Sequence, residues 1–91
     1  MFYAYILKSS KSKNLYTGYT NDLKRRIKEH NNGASTYTRY RGPYELIYYE
    51  ACLHEFDAKA REKYLKSGRG KLFLKLRLKR YFGGMDPVQN I

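Results

Sequence analysis

Five side chains in this sequence have types and spacings suited to phosphodiester chemistry. Tyr5 and Tyr16 stand eleven residues apart, in Tyr3-Ala4-Tyr5 and Tyr16-Thr17-Gly18. Arg26 comes ten residues after the second tyrosine, His30 one helical turn later, and Glu62 in a helix-like stretch further on. A phenol with its ordinary pKa near 10 serves as a base at neutral pH only where cations favour phenolate. A guanidinium can grip phosphate with two donors at once, and an imidazole can orient a tyrosine or donate to phosphate. A lone carboxylate suits magnesium, which takes one or two protein carboxylates and completes its shell with phosphate and water. The other acids are Asp22, Glu29, Glu45, Glu50, Glu55, Asp57 and Asp86. No pair of them has two-metal spacing, so a one-metal site fits better.

The elements that must position these groups can be read along the chain. Phe2–Lys8 reads as a strand, Ser9–Asn14 as a polar turn and Leu15–Thr20 as a second strand, together an antiparallel hairpin. In the right register that hairpin brings Tyr5 and Tyr16 together on one face. Thr20 or Asn21 offers an N-cap and Asp22 suits the first turn of a helix running to about His30. Asn31-Asn32-Gly33 then suits a left-handed cap. Within that helix Leu23 and Ile27 face the sheet, and Arg26 and His30 stack beside them, while Lys24, Arg25 and Lys28 point to solvent. Residues 31–43 read as a surface loop and Tyr44–Cys52 as the third strand. Glu55–Lys66 reads as a helix closed by Ser67-Gly68, with Glu62 beside the face of Ala58 and Leu65. In Lys71–Lys79 the leucines alternate as in a strand, whereas Leu, Lys and Arg without β-branching favour a helix; helix is the reading adopted. The fold class is α+β, with a domain over residues 1–82 and a loosely held tail over 83–91.

Composition narrows the partner. Lys and Arg outnumber Asp and Glu 19 to 8 in 91 residues, for a net charge of +11, which points to a polyanion. Eleven Tyr and four Phe without Trp exceed what a modest core requires, and exposed tyrosines on a basic surface can stack on bases. One cysteine, Cys52, excludes a disulfide framework and a Cys-based zinc site, fits a reducing cytosol, and is read as core. No apolar run is long enough to span a bilayer, and the first residues lack the features of a signal peptide, so a cytoplasmic location is expected. Candidate nucleic-acid contacts are Lys8, Lys11 and Lys13 around the hairpin loop, and Arg39 and Arg41 interleaved with Tyr37 and Tyr40. Lys66, Arg69 and Lys71 join them, beside glycines that let backbone approach phosphate. The plainer reading of much of this charge is that it keeps a tyrosine-rich protein soluble.

Taken together, order and spacing resemble the catalytic domain of the GIY-YIG nuclease superfamily, in its small single-domain bacterial form. Tyr3-Ala4-Tyr5 stands at the Gly-Ile-Tyr element and Tyr16-Thr17-Gly18 at the Tyr-Ile-Gly element. The run from Leu23 to His30 is similar to the family's Arg-x-x-x-His helix, and Ala60 to Gly68 to its helix with the metal-binding Glu. The likeness covers roughly residues 2–80. Tyr3, Ala4 and Thr17 depart from the motif at framework positions and leave both tyrosine hydroxyls in place.

The resemblance implies a three-stranded antiparallel sheet flanked by helices and hydrolysis of phosphodiesters with one divalent metal, Mg2+ or Mn2+, on Glu62. Tyr5 or Tyr16 would act as general base, Arg26 would stabilise phosphoryl charge, and His30 would assist. DNA is favoured over RNA as substrate, in branched, flapped or damaged forms of the kind met in repair, because one small domain offers little surface for reading a long sequence. The rival is a non-catalytic basic protein that binds DNA or RNA on the same fold. A third reading is a subunit whose basic face docks on an acidic protein.

Overall fold

The computed structural model describes residues 1–33 and 42–83. Its centre is β1, Phe2–Ser9, in which Ala4, Tyr5, Ile6 and Leu7 are all fully buried. Four consecutive buried residues require cover on both faces of the strand. Strand β2, Leu15–Thr20, and strand β3, Tyr44–Cys52, flank it antiparallel in the order β2-β1-β3. Tyr5 lies opposite Gly18 on one side and Tyr49 on the other, and Leu7 lies opposite Tyr16. The β1–β3 register shifts between Ile6 and Leu7, where Ile47 is the extra residue.

The hairpin turn is built from its polar residues. The Ser9 hydroxyl accepts from the backbone of Lys11 and Ser12, and Lys13 takes a left-handed φ of 64°. Helix α1, Leu23–Asn31, follows β2. Its N-cap is Asp22, whose carboxylate accepts from Arg25 N at 3.1 Å. The cap thus falls one or two residues beyond Thr20 or Asn21. The reason is that Thr20 is still buried in the strand, with its hydroxyl engaged by the backbone of Asp22. Gly33, at φ 78°, turns the chain away. Leu23 and Ile27 pack on Tyr5, Leu7 and Tyr44, so α1 covers one face of the sheet.

The other face carries helix α2, Glu55–Lys66, and helix α3, Gly68–Arg77, followed by the short α4, Lys79–Phe82. Leu65 and Leu74 close over Ala4 and Ile6, with Tyr48, Tyr64 and Phe73 around them. Arg61 locks α2 to β3 through a two-pronged bond to Glu50, at 2.7 and 2.9 Å. Ser67 both ends α2 and caps α3, donating to the Tyr64 carbonyl and accepting from Gly70 N. Gly70 is buried, and a Cβ there would overlap the Tyr64 carbonyl and the Leu65 backbone. That glycine serves tight helix packing, which corrects the expectation that it opens backbone to phosphate. The alternating leucines sit on a helix: Leu74 is buried, while Leu72 and Leu76 are exposed. Cys52 is a half-buried free thiol at the end of β3. Among the described residues no helix is long and apolar enough to cross a membrane.

Candidate functional site

The site forms along the free edge strand β2. Residues directly opposite each other in a ladder point to the same face, so Tyr5, Leu7, Gly18 and Tyr16 all face α1. The Tyr5 ring crosses Gly18 on its way to α1, and a Cβ on Gly18 would overlap the ring and its hydroxyl. The glycine of Tyr16-Thr17-Gly18 is therefore the space in which Tyr5 lies. At the end of that path the Tyr5 hydroxyl meets His30 Nε2 at 2.8 Å.

His30 is enclosed, with 1% of its surface exposed. The rings of Tyr5, Tyr16 and Tyr44 surround it at centroid distances of 5.9, 4.9 and 6.1 Å. Burial, reinforced by the neighbouring charge of Arg26 and opposed by Glu29, pushes the imidazole down from 6.5 to about 4. It is neutral at physiological pH. Tyr5 moves the other way, up from 10.0 to about 12. Burial is the main cause; Tyr16 and Glu62 add to it, while a hydrogen bond from Arg26 and its charge oppose it. At this phenol desolvation outweighs the lowering by Arg26. The Tyr5 hydroxyl and the neutral imidazole share this hydrogen bond, and the tautomer of His30 decides which of them donates.

Arg26 stands at the margin of the buried face. Burial pulls its guanidinium down, but the hydrogen bonds to Glu29 and Tyr5 more than offset this and hold it above the usual arginine range. Its Nη1 donates to Glu29 Oε1 at 2.9 Å, and Arg25 reaches the other oxygen of that carboxylate at 3.7 Å. Glu62 belongs to the opposite layer, on α2, yet its charge is felt at Tyr5. Its half-buried carboxylate pairs with Lys66 Nζ at 3.0 Å, one turn along the helix.

The structure thus gathers Tyr5, Tyr16, Arg26 and His30 into one contact group and sets Glu62 within electrostatic reach. Lys66 and Lys71 border a groove beside Tyr16 and Thr17, and Arg69 is exposed at the start of α3. Lys8 and Lys13 are elsewhere: they line a small cleft with Glu45 and Tyr81, where Lys8 lies over the Tyr81 ring at 5.2 Å. Arg39, Tyr40 and Arg41, like Tyr37, lie outside the described residues. Sequence reasoning missed three contributors. Tyr44 walls in His30; Glu29 binds Arg26, and its i+3 spacing was the available signal; Gly18 makes room for Tyr5, visible only once the strand register is known.

Among the described residues no group of three or more His, Cys, Asp or Glu could cage a metal. Two carboxylates act on the tyrosine site: Glu29, which is bound to Arg26, and Glu62, which is bound to Lys66. That chemistry fits a hard cation such as magnesium, which keeps most of its water and takes substrate phosphate oxygens.

Comparison with known proteins places this geometry among relatives. Residues 1–76 match the model of the GIY-YIG catalytic domain. A UPF0213 protein of Clostridium perfringens is 52% identical over 67 residues, spanning 72% of this chain and 71% of the relative. A UPF0213 protein of Streptococcus pyogenes serotype M5 is 52% identical over 58 residues, 63% of this chain and 58% of that protein, so less than two thirds of the relative's length is matched. The solution NMR structure of a UPF0213 protein from Bacillus halodurans matches 99% of this chain and 93% of its own, at 37% identity and a TM-score of 0.50. The UPF0213 name states no activity, metal or substrate.

Proposed function

The chain belongs to the GIY-YIG catalytic-domain family, a family of nucleases, and from that premise we propose that it is a divalent-metal-dependent endonuclease that hydrolyses phosphodiester bonds in DNA. One observation carries the reading. The Tyr5 hydroxyl, His30 and Arg26 gather with Tyr16 at an open sheet edge, within the field of a carboxylate from the opposite helical layer.

The two tyrosines take different parts. Tyr5 is fully buried, keeps its proton and is hydrogen-bonded to His30, so it holds the site together. Tyr16 is half-buried, borders an open groove and is the general base. It takes a proton from the attacking water, whose oxygen forms the new bond to phosphorus as the bond to the leaving oxygen breaks. Arg26, always protonated, donates to the non-bridging oxygens as charge builds on them. His30 stays neutral and hydrogen-bonded to Tyr5, which also binds Arg26. Glu62 would hold the divalent ion, Mg2+ or Mn2+, with water and phosphate; when bound, the ion supplies charge neutralisation at the reacting phosphate. Lys66, Arg69 and Lys71, with Arg39, Tyr40 and Arg41, grip the backbone without reading sequence. The substrates are branched, flapped or damaged DNA, handled in the cytoplasm during repair or processing, by a domain over residues 1–82 with a tail from 83.

The Glu62–Lys66 ion pair favours a second reading, a basic nucleic-acid-binding protein without catalysis, since the key carboxylate already has a partner. A cleavage assay with Mg2+ or Mn2+ on duplex, flapped, branched and single-stranded DNA, and on RNA, separates the two. Wild type should cut at least one DNA form, and Tyr16→Phe and Glu62→Ala should each slow cutting by about 100-fold or more. Cutting that survives Glu62→Ala undiminished removes the catalytic assignment; binding without any cutting leaves the second reading.

A further inference from the structure

Tyr16 and Thr17 are neighbours on β2 and so point to opposite faces. Tyr16 packs on His30 and borders, and Thr17 faces, a groove of about 770 Å³ between β2 and helices α2 and α3. Leu65 and Leu74, at 1% and 3% exposure, make its floor. Leu15, 39% exposed, and Thr17 make one wall, and Lys66 and Lys71 stand at the rim. None of its lining residues is acidic. The volume lies within the range of small-ligand clefts, about 300–1,000 Å³.

We propose that this groove is a subsite for one unpaired nucleotide of a DNA strand, adjacent to the phosphate held by Arg26 on the other side of β2. The claim about position rests on the nuclease reading above; the claim that the groove binds an unpaired nucleotide does not. Three features point to that occupant. The exposed side of Leu15, over the leucine floor, takes the face of a base, which water solvates poorly, while two lysines at the rim take the flanking phosphates. Among the described residues no strand pairs with the outer edge of β2, so only the thickness of one strand separates the groove from the tyrosine site. A base stacked and paired within a duplex cannot turn around that edge, whereas an unpaired nucleotide, free to rotate about its backbone, can. A free strand end, a flap or a gap supplies one; an intact duplex does not.

The test is binding in EDTA, so that no cutting intervenes, by fluorescence anisotropy. The probes are a thymidine oligomer of about 12 nucleotides, within the usual site sizes of single-strand binders, an abasic strand of equal length, and a blunt duplex. Leu15→Ala is the main variant, because a partly exposed residue at a strand end can be shortened without unfolding the sheet; circular dichroism checks this. The wild type should bind the thymidine strand about tenfold tighter than the abasic one. Leu15→Ala should lose most of that difference and bind duplex as the wild type does. Equal weakening for strand and duplex, or no weakening for either, overturns the proposal, as does tighter binding of RNA than of DNA in a Leu15-dependent way. The two readings fail separately. Leu15-dependent strand binding by a protein that cuts nothing removes the nuclease assignment alone. Glu62-dependent cutting with Leu15-independent binding removes the groove alone.

Discussion

Acidifying the protein should unfasten its site at one identifiable proton. His30 has a folded pKa of about 4 against an ordinary 6.5, so between those values the unfolded chain binds a proton that the folded chain refuses. Stability therefore rises with pH across this window, is complete above 6.5, and is lost as pH falls towards 4. The full difference corresponds to about 3 kcal/mol, and about 2 kcal/mol of it should be gone by pH 5. That is a large share of the ~5–15 kcal/mol that holds a typical domain together. The groups facing His30 explain why the proton is refused: Arg26 repels it, the rings of Tyr5, Tyr16 and Tyr44 exclude water, and Glu29 offsets only part. Two carboxylates with lowered pKa values, Glu50 and Glu55, start from 4.5 and add their own loss mainly below pH 5, equally in wild type and variant. Urea unfolding at pH 7 and pH 5, compared with His30→Gln, isolates the effect, since glutamine can accept from Tyr5 but takes no proton. The wild type should lose about 2 kcal/mol and the variant little. In parallel, the His30 ring protons should titrate by NMR with a midpoint near 4. Equal stability of the wild type at both pH values, or an equal loss in the variant, would refute the burial argument.

Two substitutions test the geometry around that imidazole and the carboxylate opposite it. Gly18→Ala places a Cβ in the space of the Tyr5 ring and hydroxyl. It should cost about 1–3 kcal/mol in chemical denaturation and raise the His30 midpoint as the Tyr5 contact loosens. A variant as stable as wild type, with His30 unmoved, would show that Tyr5 has another route. Lys66→Gln removes the cation that competes for Glu62. Calorimetry with Mn2+ and no nucleic acid should show affinity about twofold to fivefold higher, the worth of an exposed ion pair at ~0.2–1 kcal/mol. Glu62→Gln should abolish the heat; unchanged binding in both variants would take Glu62 out of the metal's reach.

How far the sequence carried these conclusions depended on the length over which each signal acts. The third strand and the second helix were legible to the residue, Tyr44–Cys52 and Glu55–Lys66, because apolar runs and caps are local patterns. The leucine-rich segment Lys71–Lys79 was legible by composition and misleading by period, since only Leu74 of its alternating leucines is buried. The neighbouring arginines were told apart correctly by helical phase: Arg26 faces Tyr5, while Arg25 leans out to Asn21 and Glu29. Gly18 and Gly70 were not legible, because each is a glycine for the sake of an atom brought near by a fold contact, the Tyr5 ring and the Tyr64 carbonyl. Nor was the sign of the shift at Tyr5. It depends on how completely the centre of the sheet is covered, a property of all three layers together.

Two tyrosines that look equivalent in the sequence stand in different surroundings. A phenol becomes a usable base only where the stabilisation of its anion exceeds the cost of burying it. Tyr5, on the central strand, has α1 above it and a neighbour strand on either side, and there burial wins. Tyr16, on the edge strand, shares the imidazole and the field of Arg26 but keeps one side towards the groove. In the function proposed above, strand position, central against edge, separates the tyrosine assigned to hold from the tyrosine assigned to react. In that proposal the same edge admits substrate, since among the described residues no further strand is paired there. A sheet extended by one strand beyond β2 would bury Tyr16 as Tyr5 is buried and close the groove beside Thr17. The three-stranded sheet is, on this argument, as much a requirement of the chemistry as the five side chains it holds.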